Sequence, residues 1–158
     1  MARQHRYIAE INWTGNRGTG TSDYRSYSRD VEVSAEGPPT IPGSADPVFR
    51  GDPARWNPEQ LLLASLSQCH LLSYLHLCTA NGVVVTSYVD RPEGTMAVTA
   101  EGGHFTSVVL HPRIEVAEAG MAEKALALHA DAHRACFIAN SVNFPVRNEP
   151  EVTVAGQA

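Results

Sequence analysis

Apolar and polar positions alternate from the start of the chain. His5 to Trp13 (HRYIAEINW) has the period of two that a half-buried strand requires, and Thr14 to Gly18 supplies a turn. Tyr24 to Ala35 reads as one or two further strands, clearest at Val31-Glu32-Val33. A Pro/Gly-rich connection follows from Gly37 to Pro53; long loops of this kind are usually functional or lie against a partner. The pattern then changes. Asn57 is a helix cap, and Pro58 stands at the first helical position, where a missing N–H does no harm. Leu62, Leu63, Leu66, Leu71, Leu72, Leu75 and Leu77 run on with few interruptions until Gly82 supplies a stop. These signals predict a helix of about 23 residues, apolar on more than one face, which suits the middle of a protein or a subunit interface.

Beyond Gly82, three valines and an alternation through Met96 and Val98 predict a strand or hairpin. His104 to Val116 predicts a long strand or a pair, Ala119 to Arg134 a second helix, and Glu149 to Ala155 a short closing strand. This order describes an α+β protein, and 158 residues is the size of one domain. The absence of a glycine-rich strand-to-helix turn argues against a dinucleotide cofactor. A net charge of -5 without a basic run argues against nucleic acid as a partner. The apolar stretches read as too short to cross a membrane, and the N-terminal residues lack a secretory apolar core. Three widely spaced cysteines do not make a secreted disulfide scaffold, so a reducing cytoplasm is the expected location.

The candidate chemistry lies in those cysteines. Cys69 falls mid-helix among Leu, Ala and Ser, with Ser65 and Leu66 about one turn before it and Ser73 one turn after. Small polar neighbours leave room at a sulfur that a packed cysteine would not need. Cys78, nine positions on, faces away and reads as core. Cys136, at the end of the second helix, is the natural second thiol. A mid-helix thiolate gains little from the helix dipole and needs a cation from elsewhere; Arg17, Arg25, Arg29, Arg50 and Arg55 are the candidates. Glu59 is suited to orient such an arginine. It lies ten residues from Cys69, roughly 15 Å along one helix, so the two meet only across antiparallel helices of a homodimer with composite sites. A metal reading uses His129, His133 and Cys136 on one helix face; its bland counterpart is solvated or hydrogen-bonded surface histidines, and no metal is expected. A Cys69–His70 nucleophile pair is weaker, because consecutive helical residues point about 100° apart. A non-catalytic binding protein is the remaining class.

The segments NPEQLLLASLSQCH (57–70), LLSYLHLCTANGVVV (71–85) and LHADAHRACFIANS (128–141) resemble the OsmC/Ohr family of bacterial hydroperoxide reductases. The specific signals are NPE-Q-L with a cysteine ten positions after the glutamate, and a late Ala132-His133-x-x-Cys136 run. The resemblance implies an intertwined α+β homodimer, with curved antiparallel sheets wrapped around two central helices. It implies a thiol peroxidase acting on organic, and in some members hydrogen, peroxides. Cys69 would be the peroxidatic and Cys136 the resolving cysteine, joined in a disulfide that an external dithiol resets. Glu59 matches the motif glutamate. Ohr-type members would place the arginine at Arg17 or Arg25 and OsmC-type members at Arg50; Arg50 is the preferred expectation. Many relatives carry proline after the second cysteine, where this chain reads Phe137-Ile138-Ala139-Asn140-Ser141. Trp56, Phe49, Phe105 and Phe137 are candidates to line an apolar pocket, or core.

Overall fold

The computed structural model describes residues 3–156. They fall into two compact units, one ending at Leu61 and one beginning at Leu62. The first unit holds an antiparallel sheet of β1 (Glu10–Trp13), β2 (Val31–Ser34) and β3 (Ile41–Gly43), with Trp13 opposite Val31 and Val33 opposite Ile41. The strand predicted from His5 starts only at Glu10. Tyr24 to Asp30 is not strand either: the Arg29 guanidinium lies 4.3 and 4.1 Å from the Tyr24 and Tyr27 rings and donates to both their carbonyls. These cation–π contacts hold a loop where alternation alone suggested a strand. β3 in turn lies inside the stretch expected to be irregular. The backbone N–H of Trp56 donates to the Pro42 carbonyl at 3.0 Å, which anchors the approach to the long helix.

That helix, α1 (Pro58–Ala80), has the predicted bounds. The Gln60 N–H donates to Asn57 Oδ1 at 2.8 Å, and the Asn57 N–H donates to Gln60 Oε1 at 3.1 Å. This reciprocal cap satisfies two of the backbone donors that a helix start leaves open. Gly82, at φ +68, reverses the chain, and the Val83 N–H returns to the Cys78 carbonyl at 2.9 Å.

The second unit continues with β4 (Val85–Val89), β5 (Glu93–Thr99), β6 (Gly102–Leu110), β7 (Arg113–Val116), α2 (Ala122–Ala135), β8 (Val146–Asn148) and β9 (Glu151–Val154). Two three-stranded sheets form, ordered β4-β7-β9 and β5-β6-β8. β4–β7 and β5–β6 pair antiparallel, as expected, while β6–β8 and β7–β9 add parallel pairs, so these sheets are mixed. α2 is preceded by a single 3-10 turn, Ala119–Met121, which accounts for its later start.

α1 buries every fourth residue, Leu66, His70, Tyr74 and Cys78, as one stripe. Tyr74 and Cys78 pack with Val83, Ile114, Val116, Ala125, Leu128 and Ala132; Leu66 packs with Val108 and Leu110. A fully buried Leu or Ile contributes about 1.5–3 kcal/mol. At Gly94 of β5 an added Cβ would stand 2.9 Å from Leu63 Cδ2 and 2.6 Å from a Phe105 ring carbon, so a side chain here would displace the Leu63 and Phe105 side chains. One sequence expectation is corrected here. At 23 residues, with an 18-residue stretch of mean hydropathy 1.3, α1 is long and apolar enough to cross a membrane. Ser65, Ser67, Gln68 and Ser73 break the run of apolar letters without lowering its average below that of a span. Its buried stripe is that of a helix packed on protein.

Candidate functional site

Cys69 is half-buried on α1, and Cys136 is 1% exposed at the C-terminal cap of α2. The two thiols are neighbours: Cys69 acts on the Cys136 thiol, and the residues flanking Cys136, Ala135 and Phe137, border the same pocket as Cys69; both thiols are free. Cys136 is fixed by the turn that follows it. The Ala139 N–H donates to its Sγ at 3.4 Å, and the Asn140 N–H donates to its carbonyl at 3.1 Å. Burial pushes the Cys136 thiol up to about 11; the Ala139 N–H pulls the other way, and the Cys69 thiol adds to the rise. Cys136 is therefore protonated at neutral pH. Cys78 is buried in the core, as its helical phase predicts.

Cys69 opens into an apolar pocket of about 500 Å³, lined by Leu72, Ser73, His76 and Leu77 of α1 and by Phe137. Of the four aromatics considered as pocket residues, only Phe137 lines it. Phe105 packs against Phe144 with ring centroids 5.5 Å apart, while Phe49 and Trp56 are half-exposed in the first unit. Phe137 itself is 79% exposed and forms part of the rim.

The charged residues expected at the site, Arg50, Arg17, Arg25 and Glu59, all belong to the first unit. Arg50 closes a short 3-10 turn, Pro47–Phe49, with a left-handed backbone at φ 67, and its guanidinium lies 6.0 Å from the Tyr24 ring centroid. Arg17 is exposed in the turn after β1, and the Arg25 N–H donates to Asp23 Oδ1 at 2.8 Å. Glu59 Oε2 is closed to solvent and has no hydrogen-bond partner among the described residues. Among the described residues, ion pairs involve Arg55, His111, Arg113 and Arg134. The expected pair between Glu59 and an arginine is not among them, so the single chain does not form it.

Two polar features escaped the sequence reading. His70 and His129, 1% and 3% exposed, share a hydrogen bond of 2.9 Å between Nε2 and Nδ1. His129 also stacks on Tyr74 at 3.9 Å. Both are core residues; His129 is hydrogen-bonded, as one expectation had it, but buried where a surface position was expected. Burial lowers both to about 4; His133 lowers His70 further and Asp90 opposes, while His70 is the second influence on His129. Among the described residues no three His, Cys, Asp or Glu side chains group to hold a metal. The second feature is Asp90, which accepts from the Ser67 hydroxyl at 2.5 Å and from the His111 N–H at 2.7 Å. It ties α1, two residues before Cys69, to the strand connections. The partners of His70 and Asp90 lie 59 and 23 or 21 residues away, so local pattern carried no sign of either.

A family model described as OsmC-like protein matches residues 51–151. The chain belongs to the OsmC-like family. Its fold matches an OsmC-like protein of unknown function from Vibrio cholerae at a TM-score of 0.84, with 29% identity over 94% of this chain and 100% of that one. It also matches an organic hydroperoxide resistance protein OsmC from Legionella pneumophila at a TM-score of 0.68, with 22% identity over 97% and 100%. An organic hydroperoxide resistance protein from Elizabethkingia anophelis matches at 0.67, with 15% identity over 98% and 99%. A search of curated proteins returns no match. The OsmC-like fold was thus foreseen from the segments around Cys69 and Cys136, and some of its structural relatives are named for organic hydroperoxide resistance.

Proposed function

We propose that this OsmC-like chain is a cysteine-based peroxidase that reduces organic hydroperoxides through Cys69 and Cys136. The observation that carries the reading is the pair of neighbouring free thiols, with one sulfur opening to an apolar pocket and the other buried. The Cys69 thiolate attacks the distal peroxide oxygen; the O–O bond breaks, and the leaving alkoxide takes up a proton to become the alcohol. Cys69 is left as a sulfenic acid. Cys136 then displaces the sulfenic hydroxyl, which leaves as water with the Cys136 thiol proton, and the S–S bond forms. An external dithiol restores both thiols by exchange.

In this reading the chain works as a homodimer. α1 supports it, because Leu72 is 58% exposed on a helix with few charges. Arg50 is the cation that favours the Cys69 thiolate, and Glu59, from a second copy of the chain, orients it. The buried, unpartnered Glu59 Oε2 supports a guanidinium partner from outside the single chain. The test is consumption of cumene hydroperoxide with a dithiol reductant. Cys69→Ser should reduce turnover by at least roughly a thousandfold, as loss of a nucleophile does. Cys136→Ser should complete one turnover and then accumulate overoxidised Cys69. Wild-type turnover by the Cys69→Ser variant would overturn the mechanism.

A further inference from the structure

We propose that the buried His70–His129 hydrogen bond is a positioning brace, setting the approach of the Cys136 thiol to Cys69 and thereby governing disulfide formation. The inference rests on the reading of the two cysteines as a reacting pair.

His70 is the next residue after Cys69, and His129 lies two helical turns before Cys136 on α2. Their contact is the only side-chain-to-side-chain hydrogen bond joining α1 to α2 among the described residues. The Tyr74 hydroxyl makes a further link, to the Ala125 backbone carbonyl at 3.0 Å. Tyr74 also stacks on the His129 ring with planes 14° apart, which holds the plane of that ring. An apolar pair would fill this space more cheaply than two imidazoles whose outer nitrogens, His70 Nδ1 and His129 Nε2, are buried without partners. What imidazoles provide instead is direction. A hydrogen bond fixes the spacing and relative rotation of the helices, whereas aliphatic contact lets them slide. A sulfenic acid and a thiol need that accuracy, because a disulfide tolerates only a narrow Cα separation.

The geometry supplies a test with opposite signs at the two positions. His129 bonds through Nδ1, the position that an asparagine amide occupies; His70 bonds through Nε2, the position of a glutamine amide. His129→Asn and His70→Gln should therefore keep the brace, while His129→Gln and His70→Asn should break it. The reduced proteins are treated with one equivalent of cumene hydroperoxide and, separately, with diamide. Diamide takes two electrons and two protons from a pair of thiols and needs no peroxidase chemistry. Mass spectrometry then measures the Cys69–Cys136 disulfide against overoxidised or unpaired Cys69.

The breaking variants should slow disulfide formation by roughly tenfold with both oxidants, the scale set by losing one buried hydrogen bond. The rate at which Cys69 first reacts with peroxide should stay within about twofold of wild type, because the brace acts on Cys136. The preserving variants should behave as wild type. Tyr74→Phe removes the other polar link and serves as a stability control; it should lower the unfolding midpoint without changing the partition. If one variant fails to fold, the pair at the other position still decides the outcome. Equal diamide-driven disulfide rates in breaking and preserving variants overturn the brace. Diamide cross-linking that follows the crossed pattern while peroxide is untouched supports the brace and removes the peroxidase reading instead.

Discussion

The two helices of the second unit are of opposite kinds. α2 is amphipathic: Ala125, Leu128, His129 and Ala132 are buried, while Glu123, Lys124 and Arg134 are exposed. Its buried face packs within one chain, and of its leucines only Leu126 is exposed. α1 carries leucines around its circumference yet fully buries only Leu66, His70, Tyr74 and Cys78. Its exposed Leu72 is on the face that the proposed homodimer would cover. Each helix supplies one of the two neighbouring sulfurs. α2 holds Cys136 in a closed and finished environment, whereas α1 presents Cys69 on a side that the chain leaves open. A reacting sulfur needs access and its resolving partner needs shelter, and this pair of helices provides one of each.

The difference between the faces of α1 can be broken by substitution. Leu66→Ala, in the buried stripe, should cost about 3 kcal/mol in urea unfolding. Leu72→Glu, on the open face, should cost less than about 1 kcal/mol of chain stability. It should nevertheless convert a dimer to monomers in sedimentation. A Leu72→Glu variant with unchanged association would remove α1 from the proposed interface.

Acid should act on the closed region through its histidines. His70 and His129 are lowered to about 4 in the folded chain, against 6.5 for the free side chain. Between these values the unfolded chain binds more protons, so stability rises with pH. The contribution is complete above pH 6.5 and is lost as pH falls toward 4. Urea midpoints measured across that range should decline with acid, and His129→Asn should flatten the decline. A smaller effect concerns the start of α1: Asn57→Ala should cost about 1 kcal/mol by removing the acceptor for the Gln60 N–H.

Some of this architecture was legible in the letters alone. The bounds of α1 followed from Asn57, Pro58 and Gly82, because caps and stops act locally. The family resemblance was carried by the residues around Cys69 and Cys136, and the family match covers both cysteines. The three-residue strands β3 and β8 were not legible. Each is too short for a period to show, and each exists because a neighbouring strand supplies its hydrogen bonds. Tyr24 to Asp30 misled for the opposite reason: its alternating letters serve Arg29 stacking. The histidine brace was invisible because a buried imidazole reads like a surface one until its partner, 59 residues away, is known.

The most direct measurement is intact and peptide mass spectrometry of the reduced protein after one equivalent of an organic hydroperoxide. A disulfide between Cys69 and Cys136, with Cys78 still a free thiol, is the predicted product. Recovery of all three thiols unreacted, or a sulfinic acid at Cys69 beside an untouched Cys136, would contradict the paired-cysteine account.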